Sequence, residues 1–511
     1  MRALSASVVL SSIILGSWLT GANAQDVGIE TPPALSPTPY GFAADDLPPG
    51  VIPQPSVAFP GVITGVTLGE MYTDNLTLAG RGQPKQTSWI TQIQPFIRAA
   101  YSGPRLSGTL DYTLSGYLYP GKASHNQVTQ RLDTRGTLTI LPQHVFLDGS
   151  VLYGREVINS ELPAGSGAFF LDNNRVNVTR GTLSPYWIQD LGGAGTMTLR
   201  YSYGRVVYGT KGISGRNDGL LTGIPDFTSN AVLFNLVSPQ YRKWSWNFDY
   251  SNQKIEPDFG RGVRFAVAKL GTAVKISDST SLLADVGKEN KFLPDGTVDT
   301  MGAGFWDVGV ERANARNSVK VMVGHRFYGH SYQFSWTRSA ALLTTAVSYV
   351  EQPTDLNQQL LGQGAGVIPP VGFPAIPSLT ERRVYLMRRA TASAAYEMPK
   401  STVRLALYDE RRTYFLLNGG QERVANADLT WFFKLGAYTT LAPTYGWQRY
   451  RYQDGQINYN QYAQVALVHQ FDPRNFGSVR LRHDSRNVDA AVAGARDYDV
   501  NVIFVQFTHL F

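Results

Sequence analysis

The sequence predicts an all-β protein, a single transmembrane antiparallel β-barrel of about 22 strands, with 18 to 24 as the range. Three observations lead to this fold class. Segments of roughly ten residues alternate apolar and polar side chains along most of the chain. Short and long breaks between these segments alternate. The chain also opens with an export-type segment and ends inside what reads as a strand.

The composition suits a β-protein and excludes several other classes. Charged residues make up 17% and aromatic residues 12% of the 511 residues, with 50 Gly and 27 Tyr. There is no cysteine, which excludes disulfides, thiolate metal sites and cysteine nucleophiles. The net charge of +7 is mild and no run of Lys or Arg occurs, so no nucleic-acid partner is expected.

The first 60 residues divide into two segments that precede the barrel. Residues 1–24 carry Arg2, an apolar stretch and Ala22-Asn23-Ala24, the pattern of a signal peptide cleaved after Ala24. Residues 25–60 are rich in proline and predict an extended periplasmic arm, because proline interrupts helices and sheet ladders. This arm is too short for a folded plug, so we expect no plug domain in the barrel of residues 61–511.

The stretch "LSGTLDYTLSGYLY", residues 106–119, shows the alternation most clearly. Its leucines fall on one parity, whereas Thr109, Asp111 and Thr113 fall on the other, as in a strand with one apolar and one wet face. Residues 244–251, 331–337 and 402–408 repeat the pattern. A soluble β-sandwich would show the same alternation.

The breaks between strands favour a membrane barrel over a sandwich. Ten short breaks, among them "SGPR" at 102, "SDST" at 277 and "DPRN" at 472, alternate with mostly longer ones. Short turns on one side and long loops on the other are typical of outer-membrane barrels, whose short turns face the periplasm. We therefore predict export to the outer membrane of a Gram-negative cell, with outer-membrane lipid as a partner.

The terminal stretch "VIFVQFTHLF" predicts the strand that closes the barrel against a first strand beginning near Val62. Ile503, Val505, Phe507 and Phe511 share one parity. A final Phe preceded by apolar residues at alternate positions resembles the recognition signal of the barrel-assembly machinery. We therefore predict this machinery as a partner. His509 departs from that pattern.

Two stretches resemble a known family. The segments "GEMYTDNLTLAG" (69–80) and 306–352, with the hairpin "GHRFYGHSYQFSW" (324–336), are similar to the PEP-CTERM system-associated barrels, which belong with the β-barrel porins and resemble barrels of exopolysaccharide gene clusters. Tyr328 and the turn "SAAL" depart from the family pattern. The resemblance implies an outer-membrane barrel linked to polysaccharide export, with polysaccharide-export components as partners. It transfers no catalytic residue.

If lipid covers the apolar face, the opposite face lines the lumen. The candidate lumen charges are Arg131, Asp133, Arg135, Arg200, Asp249, Lys320, Arg326, Arg404, Arg480 and Arg482. Arginine outnumbers aspartate among them. One interpretation is that these side chains pair in networks along the wall. The other is a basic lining that favours anionic solutes.

No catalytic, metal or cofactor site is predicted. None of the seven histidines has a metal-ligand spacing. His330 and Ser331 are adjacent, which on a strand directs their side chains to opposite faces, so a hydrolytic pair is not favoured.

The functional hypothesis is a passive conduit or accessory barrel for exopolysaccharide export. The alternatives are a general diffusion porin for small, anionic-leaning solutes and a non-transporting surface or assembly barrel. The lumen could be open, narrowed by loops or flattened. The loop between Gln352 and Arg382 is the best candidate to fold inward, because its apolar, Pro-rich stretch suits burial.

Overall fold

The computed structural model describes residues 61–172, 174–209, 224–239, 243–362, 379, 383–415, 419–489 and 496–511. The predicted signal peptide and Pro-rich arm lie outside these residues. The fold described below is therefore that of the predicted barrel region.

The described chain is almost entirely β-structure. The strands are β1 Gly61–Thr73, β2 Ser88–Ser102, β3 Leu106–Leu118, β4 Gln127–Leu141, β5 Val145–Val157, β6 Arg175–Asp190, β7 Thr196–Tyr208, β8 Phe227–Val237, β9 Trp244–Pro257, β10 Val263–Ser277, β11 Thr280–Phe292, β12 Val298–Ala313, β13 Asn317–Arg326, β14 Gly329–Ser339, β15 Leu343–Thr354, β16 Tyr385–Met398, β17 Ser401–Tyr414, β18 Gln421–Lys434, β19 Thr439–Arg451, β20 Ile457–Asp472, β21 Asn475–Val488 and β22 Tyr498–Leu510.

Each strand pairs antiparallel with its neighbour in the chain, and β1 pairs with β22. The closing register runs from Gly65 opposite Leu510 to Thr73 opposite Val502. The backbone N–H of Phe511 adds a hydrogen bond of 3.0 Å to the carbonyl of Thr64. This confirms a closed antiparallel barrel of 22 strands and the predicted pairing of the terminal strand with the first.

The two ends of the barrel differ, as the alternation of breaks predicts. One end, here called the short-turn end, holds tight connections such as Asp278-Ser279 between β10 and β11. The other, the long-loop end, holds longer connections, including those between β5 and β6 and between β15 and β16. Both Gly61 and Leu510 lie at the short-turn end, as an even strand number requires.

Alternate residues face opposite sides of the sheet. On β22, Ile503, Val505 and Phe507 are exposed, whereas Val502 and Phe504 between them are buried. The exposed side chains form the outward face and the buried ones point into the barrel. The leucines of 106–118 and the aromatic residues of 244–250 lie on the outward face in the same way.

Helical structure is confined to three short pieces in the described residues. The helix α1 spans Leu356–Leu360, and two 3₁₀ turns span Ala123–His125 and Gly192–Ala194. No helix among the described residues has both the length and the apolar character needed to cross a membrane.

Candidate functional site: the interior of the barrel

The inward face carries every predicted lumen charge. Cross-strand register places Arg131, Asp133, Arg135, Arg200, Asp249, Lys320, Arg326, Arg404, Arg480 and Arg482 on this one face of the closed sheet. Residues directly opposite on antiparallel strands point to the same side, so the assignment passes from strand to strand around the barrel.

Several of these arginines are paired with carboxylates. Arg135 binds Asp133 at 3.2 Å on the same strand, and Arg482 binds Asp484 at 2.7 Å. Arg200 reaches across two strands to Asp148, 2.7 Å away. These contacts favour the interpretation of paired networks over that of an unbalanced basic lining.

Strands β9 to β13 carry a continuous charge belt. Lys269, which is buried, lies 3.8 Å from Asp249 and 3.5 Å from Asp285. Farther along, Arg326 binds Glu289 at 2.8 Å and Asp307 at 2.7 Å.

The predicted lumen charges did not include Lys269, Asp285, Glu289 and Asp307. Their parity on strands β10 to β12 could have placed them on the inward face. The register between the strands decides which of these groups pair, and the sequence does not reveal that register.

A second charge cluster lies wholly buried on β16 to β18. Glu410 accepts hydrogen bonds from Arg389 at 2.7 Å and from Arg412 at 2.5 Å. Arg412 also contacts Glu422 at 3.2 Å and donates to the hydroxyl of Tyr450 at 2.6 Å. The side chains of Glu410 and Arg412 are fully buried. Continuing the parity of Arg404 along "RLALYDERR" would have placed both on the inward face.

Aromatic rings support many of the inward arginines. The guanidinium carbon of Arg480 lies 3.9 Å from the ring centroid of Phe504. The corresponding distance is 4.2 Å from Arg482 to Tyr462 and 5.1 Å from Arg404 to Phe432. A cation above an aromatic face is held by the ring quadrupole.

The loop between β5 and β6 folds into the long-loop half of the barrel. Phe169 and Phe170 are buried, and Phe169 lies edge-on to Phe504 with centroids 5.7 Å apart. An earlier part of the same loop is held by Arg486 of β21, which donates to the carbonyl of Leu162 at 2.6 Å. This loop therefore packs against side chains of the barrel wall.

Glu161 in the same loop has a perturbed acidity. Partial burial raises the pKa of its carboxyl group, and the nearby charge of Asp454 raises it further. Asn159 and Arg486 oppose the shift. The folded loop thus makes the Glu161 carboxyl group a weaker acid than it is in water.

The loop between β15 and β16 also enters the barrel, through the helix α1. Asp355 caps the helix by accepting a hydrogen bond of 2.9 Å from the backbone N–H of Gln358. All five residues of α1 are buried. The inward folding predicted for the loop of 352–382 is therefore observed for its first part, whereas residues 363–378 lie outside the described residues.

The helix α1 joins opposite walls of the barrel. The side-chain amide of Gln358 donates to Gln253 on β9 at 2.7 Å, and that of Gln359 donates to the hydroxyl of Tyr385 on β16 at 2.7 Å. Leu356 and Leu360 belong to one apolar cluster with buried residues of both walls, which include Val178, Val206, Phe227 and Ile255 on one side and Tyr408, Val424 and Tyr450 on the other. The described loops and walls thus form a packed core across the long-loop half.

The hairpin "GHRFYGHSYQFSW" also contributes to this packing. Phe327 at its tip lies between Phe292 of β11 and Phe415 beyond β17, with centroid distances of 6.0 and 5.5 Å. Gly329 has φ of 109°, a left-handed conformation that favours glycine in a tight turn. The hairpin that carries the family resemblance is therefore an inward contact at the long-loop end.

The residues considered for catalysis are not assembled as a site. His330 lies opposite His325 on the outward face, whereas Ser331 faces inward and donates to Asp307 at 2.9 Å. Among the described residues no group of three or more His, Cys, Asp or Glu side chains could hold a metal ion.

Comparison with known proteins identifies the fold. No protein-family model and no curated protein sequence matches the chain. Two variants of the FrpB iron transporter from Neisseria meningitidis, F5-1 in its apoprotein form and F3-3, each align with a TM-score of 0.50 and 10% identity, over 88% of this chain and 81% of that chain. The siderophore receptor PirA from Acinetobacter baumannii aligns with a TM-score of 0.49 and 8% identity, over 89% of this chain and 81% of that chain.

The fold defines the class: a large antiparallel barrel of the outer-membrane type. At these identities the likeness concerns the fold alone.

Proposed function

We propose that this protein is an outer-membrane conduit for a polar solute, and that its own long loops close the lumen at rest. The contact of α1 with both walls is the observation that carries the proposal. A short helix held by side-chain contacts, on a long connection, can leave its place without breaking any strand pairing. Release of α1 would connect the charged lining of the inner half to the cell exterior.

The filled long-loop half argues against a general diffusion porin, because such a porin needs a permanently open lumen. It also favours a second candidate, a non-transporting barrel that serves as a surface or assembly anchor. The two candidates differ in whether the loops ever leave the lumen.

Exopolysaccharide is the cargo we propose, and polysaccharide-export components are the proposed partners. Support comes from the resemblance of residues 69–80 and 306–352 to barrels of export clusters. The paired charges give the inner lining a polar surface without a large excess of either sign. Such a lining suits a hydrated polar chain. Deletion of the gene should then reduce secreted polysaccharide, and unchanged secretion would contradict this cargo.

Planar-bilayer recording of a loop-shortened variant tests the gate. Replacing residues 356–383 with a short Gly-Ser linker removes α1 and should convert rare openings into a large, steady conductance. The matched control shortens the exposed connection between β9 and β10, which should leave the recordings unchanged. A silent barrel after removal of α1 would contradict the conduit and support the anchor.

A further inference from the structure

An arginine row crosses the outward face of four neighbouring strands. Arg388 on β16 lies opposite Arg411 on β17, which lies opposite Arg423 on β18, which lies opposite Arg451 on β19. Neighbouring strands are about 4.8 Å apart, so the row spans roughly 14 Å of the barrel's circumference. All four positions are within a few residues of the long-loop ends of their strands.

The row is only partly neutralised. Glu351 binds Arg388 at 3.3 Å, and Asp409 binds Arg423 at 2.7 Å. Within the described part of the chain, no carboxylate makes an ion pair with Arg411 or Arg451, and both side chains are exposed. Arg449, one alternation below Arg451 on β19, adds another exposed outward cation.

Two outward cations elsewhere at the long-loop end are paired with carboxylates, whereas Arg264 donates to the side-chain oxygen of Asn252. Arg205 binds Asp258 through two hydrogen bonds of 2.8 Å, and Lys254 lies 2.6 Å from Glu256. What distinguishes β16 to β19 is that four cations lie directly opposite one another on successive strands. Like charges directly opposite each other on neighbouring strands are destabilising, so anions from outside the chain would stabilise the arginine row.

The surroundings of the row indicate where those anions come from. Below it, towards the middle of the barrel, the same outward face turns apolar with Leu407 and Leu429, both exposed. Trp447 and Tyr459 border the two regions on β19 and β20. Aromatic residues between an apolar band and a polar rim mark the membrane interface of barrels. The row therefore lies at the height of lipid head groups.

We propose that the arginine row binds the phosphate groups of a phosphorylated lipid in the outer leaflet. Arginine is suited to this role because its planar guanidinium donates paired hydrogen bonds to phosphate. Basic sites at the interface bind anionic head groups by the same chemistry. This inference rests on the membrane placement in the proposed function but not on conduction.

The test uses purified full-length barrel in neutral detergent, with bis-phosphorylated lipid A and the same lipid dephosphorylated as probes. The variant combines Arg411→Gln, Arg423→Gln and Arg451→Gln. The matched control, Arg205→Gln with Lys254→Gln and Arg264→Gln, also removes three outward cations near the long-loop end. Thermal unfolding midpoints are measured with and without each probe.

The bis-phosphorylated lipid should raise the midpoint of the wild type and of the control, and the dephosphorylated lipid should not. The row variant should bind the phosphorylated lipid about tenfold more weakly or worse, since charge-assisted hydrogen bonds are lost. Without lipid it should be as stable as the wild type or more so, because repulsion is relieved. This also shows that the variant folds.

Equal shifts with both lipids, or an undiminished shift in the row variant, would overturn the proposal. Inorganic phosphate at the same concentration should give no shift, and a shift equal to that of the lipid would show a free-anion site instead. The row variant should conduct like the wild type, so lipid binding and conduction can fail independently.

Discussion

Among single residues, Glu410 is a buried carboxylate whose loss would leave buried arginine charge without compensation. It lies fully buried between Arg389 and Arg412, and Arg412 also contacts Glu422. Removing one member of a buried ion pair leaves an uncompensated charge in a medium that solvates it poorly. The side chain is thus a structural determinant of the wall on which α1 rests.

We predict that Glu410→Ala lowers the free energy of unfolding by about 3 to 5 kcal/mol. The comparison is Glu256→Ala, which removes an exposed partner of Lys254 and should cost no more than about 1 kcal/mol. Urea unfolding of the refolded barrel, followed by tryptophan fluorescence, measures both. A cost for Glu410→Ala as small as that of the exposed control would show that the cluster is solvated.

For single residues, the sequence predicts which side of the sheet a side chain faces. It does not predict which residue that side chain pairs with. The predicted lumen charges all lie on the inward face because strand parity alone decides the side. Asp148, which pairs with Arg200, lies two strands away, and only the register brings the two together. The inward carboxylates were missed for this reason, and with them the near balance of charge along the wall.

Among the elements, the terminal strand β22 closes the barrel and also carries the proposed assembly signal. Phe511 follows β22 with its side chain exposed, and its backbone adds one hydrogen bond to the closing pair. The proposed role of Ile503, Val505, Phe507 and Phe511 as an assembly signal is therefore separable from their contribution to stability.

We predict that Phe511→Ala leaves refolding into detergent nearly unchanged, because an exposed side chain contributes little to the folded state. In cells the same variant should accumulate less of the heat-modifiable folded form. Val62→Ala, at the same rim but on the first strand, is the control and should assemble normally. Equal assembly of the two variants would remove the signal.

Sequence patterns predict where the strands and loops lie, but not how the loops pack inside the barrel. Alternation located the strands, and the turn chemistry located the breaks, because both are local properties. The inward packing of Phe169 includes a contact with Phe504, more than three hundred positions away in the chain. The sequence predicted inward folding only for the loop of 352–382, which contains α1, because that loop has an apolar stretch.

For the whole molecule, the proposed conduit combines a rigid wall with a removable obstruction. Every strand is hydrogen-bonded on both sides in the closed barrel, so the wall itself offers little freedom. The obstruction is held by side-chain contacts, which include the hydrogen bond from Gln358 to Gln253 on β9. Conduction then depends on whether α1 leaves its place.

Cross-linking α1 to the wall tests this claim most directly. The chain has no cysteine, so Gln253→Cys with Gln358→Cys introduces a unique pair for a short bismaleimide linker. In planar-bilayer recordings, we predict openings before treatment and none after it, while each single-cysteine variant keeps its openings. Openings of unchanged size and frequency in the fully cross-linked barrel would contradict the proposed gating by α1.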